Sequence, residues 1–332
     1  LIKPNVLGPF DPDSGIVTHP KVVGALVKIL KQKGLTVVVG EASVVGTDTM
    51  TAFKKAGYFE IAQKYGIKLV DFNKEKRRKV KFNNRILKIP EIVFSHEYIN
   101  IPKLKTHDQA FVSISMKNQK GLLMSNDKKA FHRKGIYVLG QNVLLLSSIV
   151  QPDLNIVDGI DSLEGNGPGQ WGIKKNMDIL VAGCDMFEVD NVCVDIMGFD
   201  IDRIEYIPKT DYSTVGLGIK EVRSNFIEPE FNRARKKLNC CFWLGEACSG
   251  CNQNIRASVT GLWKRPFRAC SFLFQSIFSR MNIVAGNCEN INFDSADSVI
   301  CIGECTRKEA ERKGYKFIPG CPPDVKTIIK NL

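Results

Sequence analysis

The fold class is indicated most clearly by residues 19–43, His19-Pro-Lys-Val-Val-Gly-Ala-Leu-Val-Lys-Ile-Leu-Lys-Gln-Lys-Gly-Leu-Thr-Val-Val-Val-Gly-Glu-Ala-Ser43. Apolar residues at helical spacing predict a helix over Lys21–Lys33, which Pro20 opens and Gly34 ends. The run Leu35–Val39, apolar except for Thr36, is typical of a strand covered on both faces. A helix followed at once by such a strand predicts an α/β fold built on a parallel sheet.

The alternation of strands and helices continues on both sides of this stretch. Further strands are predicted at Leu1–Leu7, Ile67–Phe72, Arg85–Ile89, Glu91–Phe94, Tyr98–Pro102, Asp153–Asp158 and Met177–Ala182. Further helices are predicted near Met50–Tyr65 and over Val138–Val150 and Met186–Met197. The basic run Lys74–Lys81 is interpreted as the solvated edge of a hairpin. We therefore expect residues 1–230 to form a mostly parallel, right-handed wound sheet with helices on both faces.

The loop from Gly40 to Thr49 has two interpretations. It is rich in Gly, Ser and Thr and leads from a strand into a helix, where free backbone N–H groups bind anions. An ordinary turn with an Asp or Thr cap explains the same residues, and we favour the turn over a phosphate site.

Polar residues are dense around short apolar strands between Pro102 and Pro168. They occur in Pro102-Lys-Leu-Lys-Thr-His107, Ser115-Met-Lys-Asn-Gln-Lys-Gly121, Asp127-Lys-Lys-Ala-Phe-His132 and Asp158-Gly-Ile-Asp-Ser-Leu-Glu-Gly-Asn-Gly-Pro168. Clustered lysines lower one another's pKa, and histidine titrates near neutral pH. The proton-transfer candidates are Lys105, His107, Lys117 and His132. The candidates for binding a carboxylate or phosphate substrate are Lys103, Asn118, Lys120, Asp158, Glu164 and Asn166. For any single lysine, plain surface charge is the simpler explanation, but the whole set beside strand ends favours a site.

Together with Lys3-Pro-Asn5, these pieces resemble the domain-of-unknown-function family 362. The resemblance covers about residues 1–215 and implies a shared fold and a shared cleft, but no established reaction. Some sugar- or lactate-racemase-like proteins have a similar opening layout, which is a weaker analogy.

From about Leu238 the composition shifts toward cysteine, and we place the domain boundary within Ser224–Lys237. Three short loops supply four thiols: Cys248-Ser-Gly-Cys251, Gly303-Glu-Cys305 and Gly320-Cys321-Pro-Pro323. Four thiolates suit a [4Fe-4S] cluster, and glycines let backbone N–H groups approach its sulfides. Structural zinc also takes four thiolates, although zinc sites usually have two C-x2-C pairs. Unligated core cysteines are the remaining alternative.

The same loops resemble the proximal-cluster motifs of nickel–iron hydrogenase small subunits and of the related cluster-bearing subunit of respiratory complex I. The likeness rests on Glu246-x-Cys-Ser-Gly-Cys-x3-Ile-Arg256, Ser298–Cys305 and Phe317–Asp324. It implies that one [4Fe-4S] cluster is bound in an iron–sulfur domain over residues 238–332 by Cys248, Cys251, Cys305 and Cys321.

Length and charge limit the classes of function. A chain of 332 residues has room for two domains. The formal net charge of +12 favours acidic substrates, acidic partner proteins or an anionic surface. We do not expect nucleic-acid binding, because no zinc finger, helix-turn-helix or aromatic–basic motif occurs. The chain starts at Leu1 without a leader pattern and lacks an 18-residue apolar run, so we expect a cytoplasmic protein with a trimmed N-terminus.

The segment Thr260–Met281 places aromatic residues among arginines. A core helix with a basic outer face is the favoured interpretation. An amphipathic helix on an anionic membrane and a docking face for an acidic electron-transfer partner are the alternatives.

These patterns together predict an iron–sulfur redox protein that relays single electrons to an anionic substrate or cofactor in a Lys/His-rich cleft. A redox protein such as a ferredoxin is the expected partner. One alternative is a non-catalytic electron carrier or assembly subunit that docks on an acidic protein. Another is a zinc-stabilised transferase or ligase that acts on a phosphorylated substrate.

Overall fold

The chain forms two compact units. Unit 1 contains Leu1–Ala130 and Gly140–Pro229, and unit 2 contains Phe131–Leu139 and Glu230–Leu332. The computed structural model describes residues 1–131, 136–229, 235–237, 239–244, 247, 249–286, 293 and 296–332.

Unit 1 is built around a mostly parallel sheet. Its strands and those of a separate hairpin are β1 (Ile2–Pro4), β2 (Val38–Glu41), β3 (Lys68–Asp71), β4 (Arg77–Phe82), β5 (Arg85–Pro90), β6 (Ile99–Ile101), β7 (Lys103–His107), β8 (Phe111–Ser113), β9 (Leu154–Gly165) and β10 (Gly172–Gly183). Eight of them form one sheet in the order β3-β2-β1-β6-β9-β7-β8, with β10 on the other edge of β9. The pairs joining β3, β2, β1, β6, β9 and β7 are parallel, whereas β8 and β10 pair antiparallel with β7 and β9. The predicted mixed α/β class with a mostly parallel sheet is confirmed.

Nine helices lie in the described part of the chain up to residue 229. They are α1 (Pro20–Gln32), α2 (Thr49–Lys55), α3 (Tyr58–Tyr65), α4 (Ile92–Ser95), α5 (Ser115–Asn118), α6 (Ser125–Phe131), α7 (Ile136–Ile149), α8 (Met186–Ile196) and α9 (Ile219–Val222). Helix α1 begins as predicted: Pro20 occupies its first turn, and the His19 side chain caps it by accepting from the backbone N–H of Lys21. Val23 and Val27 of its apolar stripe are fully buried in the core.

Several predicted elements are corrected by the structure. The single helix near Met50–Tyr65 is two helices, because Gly57 takes a left-handed φ of 79° between α2 and α3. Asp48 caps α2, as the turn interpretation of this loop predicted. The strand expected at Glu91–Phe94 is wrong: the short helix α4 lies there, and short apolar runs do not distinguish the two.

The strand predicted at Leu35–Val39 starts three residues later, at Val38, and runs to Glu41. Met177–Ala182 lies in β10, which is not buried on both faces, since Leu180 is 54% exposed. The polar hairpin of β7 and β8 was not predicted. The basic hairpin was predicted, and β4 pairs with β5 in a small sheet of its own.

Unit 2 contains a second wound sheet. Its strands β11 (Arg235–Lys237), β12 (Cys240–Trp243), β13 (Met281–Ala285), β14 (Ser298–Ile302) and β15 (Lys316–Ile318) are ordered as in the chain. Strands β12 to β15 are parallel, and β11 is antiparallel to β12. The helices of this unit are α10 (Ser249–Leu262), α11 (Pro266–Phe278), α12 (Arg307–Lys313) and α13 (Val325–Asn331).

The aromatic segment Thr260–Met281 contributes less to the core than expected. Leu262 and Phe272 are buried, but Phe267, Phe274 and Phe278 are mostly exposed. In the described part of the chain, no helix combines the length and apolar character needed to span a membrane.

Candidate functional site

A buried cluster of lysines, amides and carboxylates lies at the carboxyl ends of the parallel strands of unit 1. We call it the lysine cluster; its main members are Lys3, Asn5, Glu41, Asn100, Lys103, Lys105, His107, Lys117, Asn118, Lys128, Asn155 and Asp158. Strands β1 and β2 are parallel, so they bring Lys3 and Glu41 to one edge of the sheet. There Lys3 Nζ lies 3.0 Å from Glu41 Oε2, with both side chains almost fully buried. Burial lowers the pKa of Lys3, and Glu41 opposes that shift.

A second buried ion pair joins β7 to β9. Lys103 and Asp158 are register partners, and Lys103 Nζ donates to Asp158 Oδ2 at 2.8 Å. The same carboxylate accepts backbone N–H groups from His19 at 2.7 Å and Ile160 at 3.1 Å. Burial lowers the pKa of Lys103, while Asp158 raises it. In both ion pairs, therefore, the lysine charge is compensated within the protein.

Within the described residues, Lys105 donates no hydrogen bond to a carboxylate. Its Nζ donates to Asn5 Oδ1 at 2.5 Å and to the carbonyl of Ile16 at 2.8 Å. Burial lowers the pKa of Lys105 well below its ordinary value, and the neighbouring charge of Lys103 adds to the effect. The ammonium form of Lys105 therefore has only neutral hydrogen-bond acceptors and is costly to bury. This cost favours the neutral amine, or the binding of an anion beside the ammonium.

Asparagine side chains link Lys105 to the strands behind it. Asn5 Nδ2 donates to Asn118 Oδ1 at 2.9 Å, and Asn118 Nδ2 donates to Asn100 Oδ1 at 2.8 Å. Asn100 Nδ2 in turn donates to Asn155 Oδ1 at 2.9 Å. This chain of four amides fixes which side-chain oxygen faces Lys105, because each NH2 group must point to the next carbonyl.

His107 and Lys117 form the most informative contact of the cluster. His107 Nδ1 accepts backbone N–H groups from Gln109 at 3.0 Å and Ala110 at 3.3 Å, so the ring proton belongs on Nε2. The carboxylate of Asp108 is farther from Nδ1, at 3.4 Å. Nε2 lies 2.8 Å from Lys117 Nζ, and a donated Nε2–H requires a lone pair on that nitrogen. Lys117 is therefore a neutral amine in this arrangement.

The electrostatic surroundings of Lys117 agree with this assignment. Burial lowers the pKa of Lys117 to about 7; Asp108 raises it and Lys105 lowers it further. Lys128 shows a related effect: its Nζ donates to the carbonyls of Ala42 and Ser43, and burial lowers its pKa to about 8. Buried amines with a pKa near neutrality can exchange protons at physiological pH.

Helix α5 carries Lys117 and Asn118, and Asp190 holds its first turn in place. The two carboxylate oxygens of Asp190 accept the backbone N–H groups of Ser115 at 2.8 Å and Met116 at 3.0 Å. Burial raises the pKa of Asp190 to about 7, and these hydrogen bonds oppose that shift. Asp190 thus positions Lys117 from outside the cluster.

The sequence-predicted site residues divide into those the structure brings together and those it does not. Lys103 with Asp158, Lys105 with Asn118 through Asn5, and His107 with Lys117 lie in the lysine cluster. Other predicted members lie elsewhere. Glu164 lies near the carboxyl end of β9, directly after Leu163, which is the register partner of Lys105. Its carboxylate binds Lys175 Nζ at 3.1 Å and the backbone N–H of Ile227 at 3.0 Å.

Two further predicted residues, Lys120 and Asn166, are half-buried in turns that follow α5 and β9. His132 lies outside the described residues. Sequence reasoning missed six cluster members: Lys3, Asn5, Glu41, Asn100 and Asn155, which lie in or beside strands, and Lys128, which lies in α6. A search for polar residues directly after each apolar run would have found Lys3, Asn5 and Glu41.

Three cysteine loops of unit 2 meet at the carboxyl ends of its strands. Cys251 is in the first turn of α10, while Cys305 and Cys321 follow β14 and β15. A Cβ on Gly303 would lie 3.2 Å from Cys251 Sγ and 3.6 Å from the carbonyl of Gly320. The two strand-end loops are also joined directly, because the backbone N–H of Glu304 donates to the carbonyl of Gly320 at 3.0 Å.

Helix α10 also packs against the loop Gly320-Cys-Pro-Pro323. A Cβ on Gly250 would lie 3.1 Å from Pro322, and Asn254 Nδ2 donates to the carbonyl of Pro323 at 2.8 Å. The absence of a side chain at Gly250 and Gly303 leaves space between the three loops that any other residue would occupy.

Cys251 is buried, Cys321 half-buried and Cys305 exposed. Within the described ranges, no three His, Cys, Asp or Glu side chains are grouped closely enough to hold a metal ion. The fourth predicted ligand, Cys248, lies outside those ranges. The glycine-lined junction and the donor type fit a thiolate-bound cluster, although the three described thiols are not gathered into one group.

Comparison with known proteins bears on unit 1. A family model described as "Domain of unknown function (DUF362)" matches residues 1–195, more than half of the chain. The curated thylakoid-associated protein sll1697 of Synechocystis sp. (strain ATCC 27184 / PCC 6803 / Kazusa) is 30% identical over 205 residues. That alignment covers 60% of this chain and 63% of the relative, so the chain spans less than two thirds of the relative's length. The family match includes the lysine cluster.

Proposed function

The chain belongs to the domain-of-unknown-function family DUF362, and we propose that it is an iron–sulfur redox protein with a buried proton-transfer site. In this proposal, unit 2 holds one [4Fe-4S] cluster through Cys248, Cys251, Cys305 and Cys321. Unit 1 binds an anionic substrate or cofactor at the lysine cluster. A redox protein such as a ferredoxin supplies or accepts the electrons.

The observation that carries the cluster assignment is the junction of the three cysteine loops. Gly303 approaches Cys251 Sγ so closely that a Cβ there would lie at 3.2 Å. The loops that carry Cys305 and Cys321 follow Cys251 by about 50 to 70 residues in the chain, and they approach it in the folded unit. When bound, a cluster with four cysteine ligands would supply single electrons and leave no iron position open for substrate.

The lysine cluster supports the acid–base part of the proposal. The hydrogen bonds of Lys105 and Lys117 within the described residues go to neutral groups, so an anionic ligand would supply a directly bonded countercharge. That ligand would also favour the ammonium forms and raise the pKa of both amines. Lys117 is then suited to accept a proton at Nζ, and His107, held by two backbone N–H groups, keeps that amine in place.

Anaerobic reconstitution with ferrous iron and sulfide tests the cluster. We expect broad absorbance near 400 nm in the wild-type chain and its loss in Cys251→Ala, Cys305→Ala and Cys321→Ala. The matched control is Cys270→Ala, which removes an exposed thiol of the same unit outside the three loops. This variant should keep the absorbance and the bound iron.

Two results would overturn the assignment. One is undiminished absorbance in a chain that carries both Cys305→Ala and Cys321→Ala. The other is a purified protein that contains zinc but neither iron nor acid-labile sulfide, which would favour a structural zinc site.

A further inference from the structure

Helix α11 has two apolar faces, and only one of them is buried. Ala269, Phe272 and Ser276 pack into unit 2. On the opposite side of the helix, Phe267 and Phe274 lie seven residues apart, two turns along one stripe. A helix that needs only its buried face for folding has no structural use for aromatic residues on the other.

The outer stripe is strongly exposed to water. Phe267 is 91% exposed, Phe274 65% and Phe278 73%, and Ile277 extends the stripe at 52%. The rings of Phe274 and Phe278 contact each other at a centroid distance of 4.6 Å. Contiguous aromatic surface of this kind marks an interaction site, because leaving it in water costs free energy.

Positive charge surrounds the stripe at both ends. Lys264 and Arg265 precede α11, and Arg280 follows it, all with exposed side chains. The sequence contains no Asp or Glu between Glu246 and Glu289, a segment that includes all of α10 and α11. The partner of this face therefore has an apolar layer and a negative surface.

We propose that α11 is an interfacial helix that lies flat on an anionic lipid bilayer, with its phenylalanine stripe in the acyl region. An α-helix rises about 1.5 Å per residue, so Phe267 and Phe278 are about 16 Å apart along one line, parallel to a membrane plane. Lys264, Arg265 and Arg280 reach the lipid phosphates, as basic residues beside interfacial helices do. An acidic protein would pair with the charges but would leave the aromatic stripe without an equivalent apolar layer. The inference does not depend on the iron–sulfur proposal.

Vesicle co-sedimentation of the full chain tests this inference. The probes are phosphatidylcholine vesicles and vesicles of phosphatidylcholine with 30 mol% phosphatidylglycerol. We expect binding to the anionic vesicles, weaker binding in high salt, and a partition coefficient lowered about tenfold or more by Phe274→Ser with Phe278→Ser. Because both side chains are exposed, the double variant should fold normally.

The matched control is Ile86→Ser, which removes an apolar side chain that is 63% exposed within the basic hairpin of β4 and β5. It should bind vesicles like the wild type. Lys264→Gln with Arg265→Gln should weaken binding to the anionic vesicles alone. The inference would be overturned if the wild-type chain bound neither kind of vesicle or bound both kinds equally. It would also be overturned if the variant with Phe274→Ser and Phe278→Ser bound anionic vesicles as strongly as the wild type. A wild-type dimer that dissociates in the variant with Phe274→Ser and Phe278→Ser would also overturn the inference, because the stripe would then bind a second copy of the chain.

Discussion

Replacing Lys117 with methionine removes the amine that lies 2.8 Å from His107 Nε2 while keeping most of the side-chain volume. The folded protein holds the pKa of Lys117 at about 7, mainly because the amine is buried. In an unfolded chain a lysine titrates at about 10.4. Between these two pH values, the unfolded state therefore binds more protons than the folded state.

The sign of the pH dependence follows from that difference. The contribution of Lys117 makes the wild-type protein more stable as pH rises from about 7 to about 10. Below pH 7 the Lys117 amine is protonated in both the folded and the unfolded state, so the folded protein bears the full free-energy cost of burying the ammonium. Methionine removes this cost, so the free energy of unfolding of Lys117→Met should exceed that of the wild type most at low pH.

The size of the effect can be worked from the same pKa. One group changes stability by about 1.4 kcal/mol per pH unit, so the gain from Lys117→Met should be about 2–3 kcal/mol larger at pH 6 than at pH 9. The lost hydrogen bond to His107 offsets about 1 kcal/mol of this gain. Because this offset varies less with pH, the difference between the two pH values is the decisive quantity.

Urea unfolding followed by tryptophan fluorescence measures this quantity. The chain has three tryptophans, so a background with Trp243→Phe and Trp263→Phe leaves Trp171 to report on unit 1. Lys31→Met, which removes an exposed positive charge from α1, is the control for net charge. A gain from Lys117→Met that is the same at pH 6 and pH 9, or that grows with pH, would refute the neutral-amine assignment.

Two further substitutions test the packing and pairing of the lysine cluster. Gly121→Ala would place a Cβ 2.1 Å from Glu41 Oε1 and 2.6 Å from Lys3 Nζ, so we expect a loss of about 3 kcal/mol or more, and an unchanged urea midpoint would contradict this packing. Lys103→Met leaves Asp158 buried without its lysine and should cost about 3–5 kcal/mol. Adding Asp158→Asn should recover much of that loss, and equal urea midpoints for the single and double variants would contradict the ion pair.

Local features of unit 1 could be predicted because short-range patterns determine them. The helix that begins at Pro20 and the basic hairpin after β3 both follow from spacing and turn residues. The hairpin of β7 and β8 was missed because Lys103–His107 has a basic residue at every second position, although all five residues are buried. Such a strand is stable only where long-range partners satisfy its charges, and a sequence window does not contain those partners.

The same limit applies to the candidate site. Strand ends indicated that Lys103 and Asp158 lie near each other, 55 residues apart in the chain. They gave no sign that Lys103 is a charged lysine paired with a carboxylate whereas Lys117 is a neutral amine, because that distinction depends on burial and on the tautomer of His107. Glu164 was grouped with Asp158 because β9 was predicted to end early, whereas the strand continues to Gly165.

The cluster ligands of unit 2 were predicted from residue type and spacing and remain a prediction; the structure adds that a Cβ on Gly303 would lie 3.2 Å from Cys251 Sγ. The exposure of Phe267 and Phe274 could not be predicted, since a buried and an exposed aromatic stripe have the same sequence spacing.

The iron and acid-labile sulfide content of the full chain, purified and reconstituted without oxygen, tests the iron–sulfur assignment. We expect about four iron and four sulfide per chain, as a single cubane bound by four cysteines requires. A chain that retains neither iron nor sulfide after reconstitution, with its thiols intact, would contradict the iron–sulfur assignment.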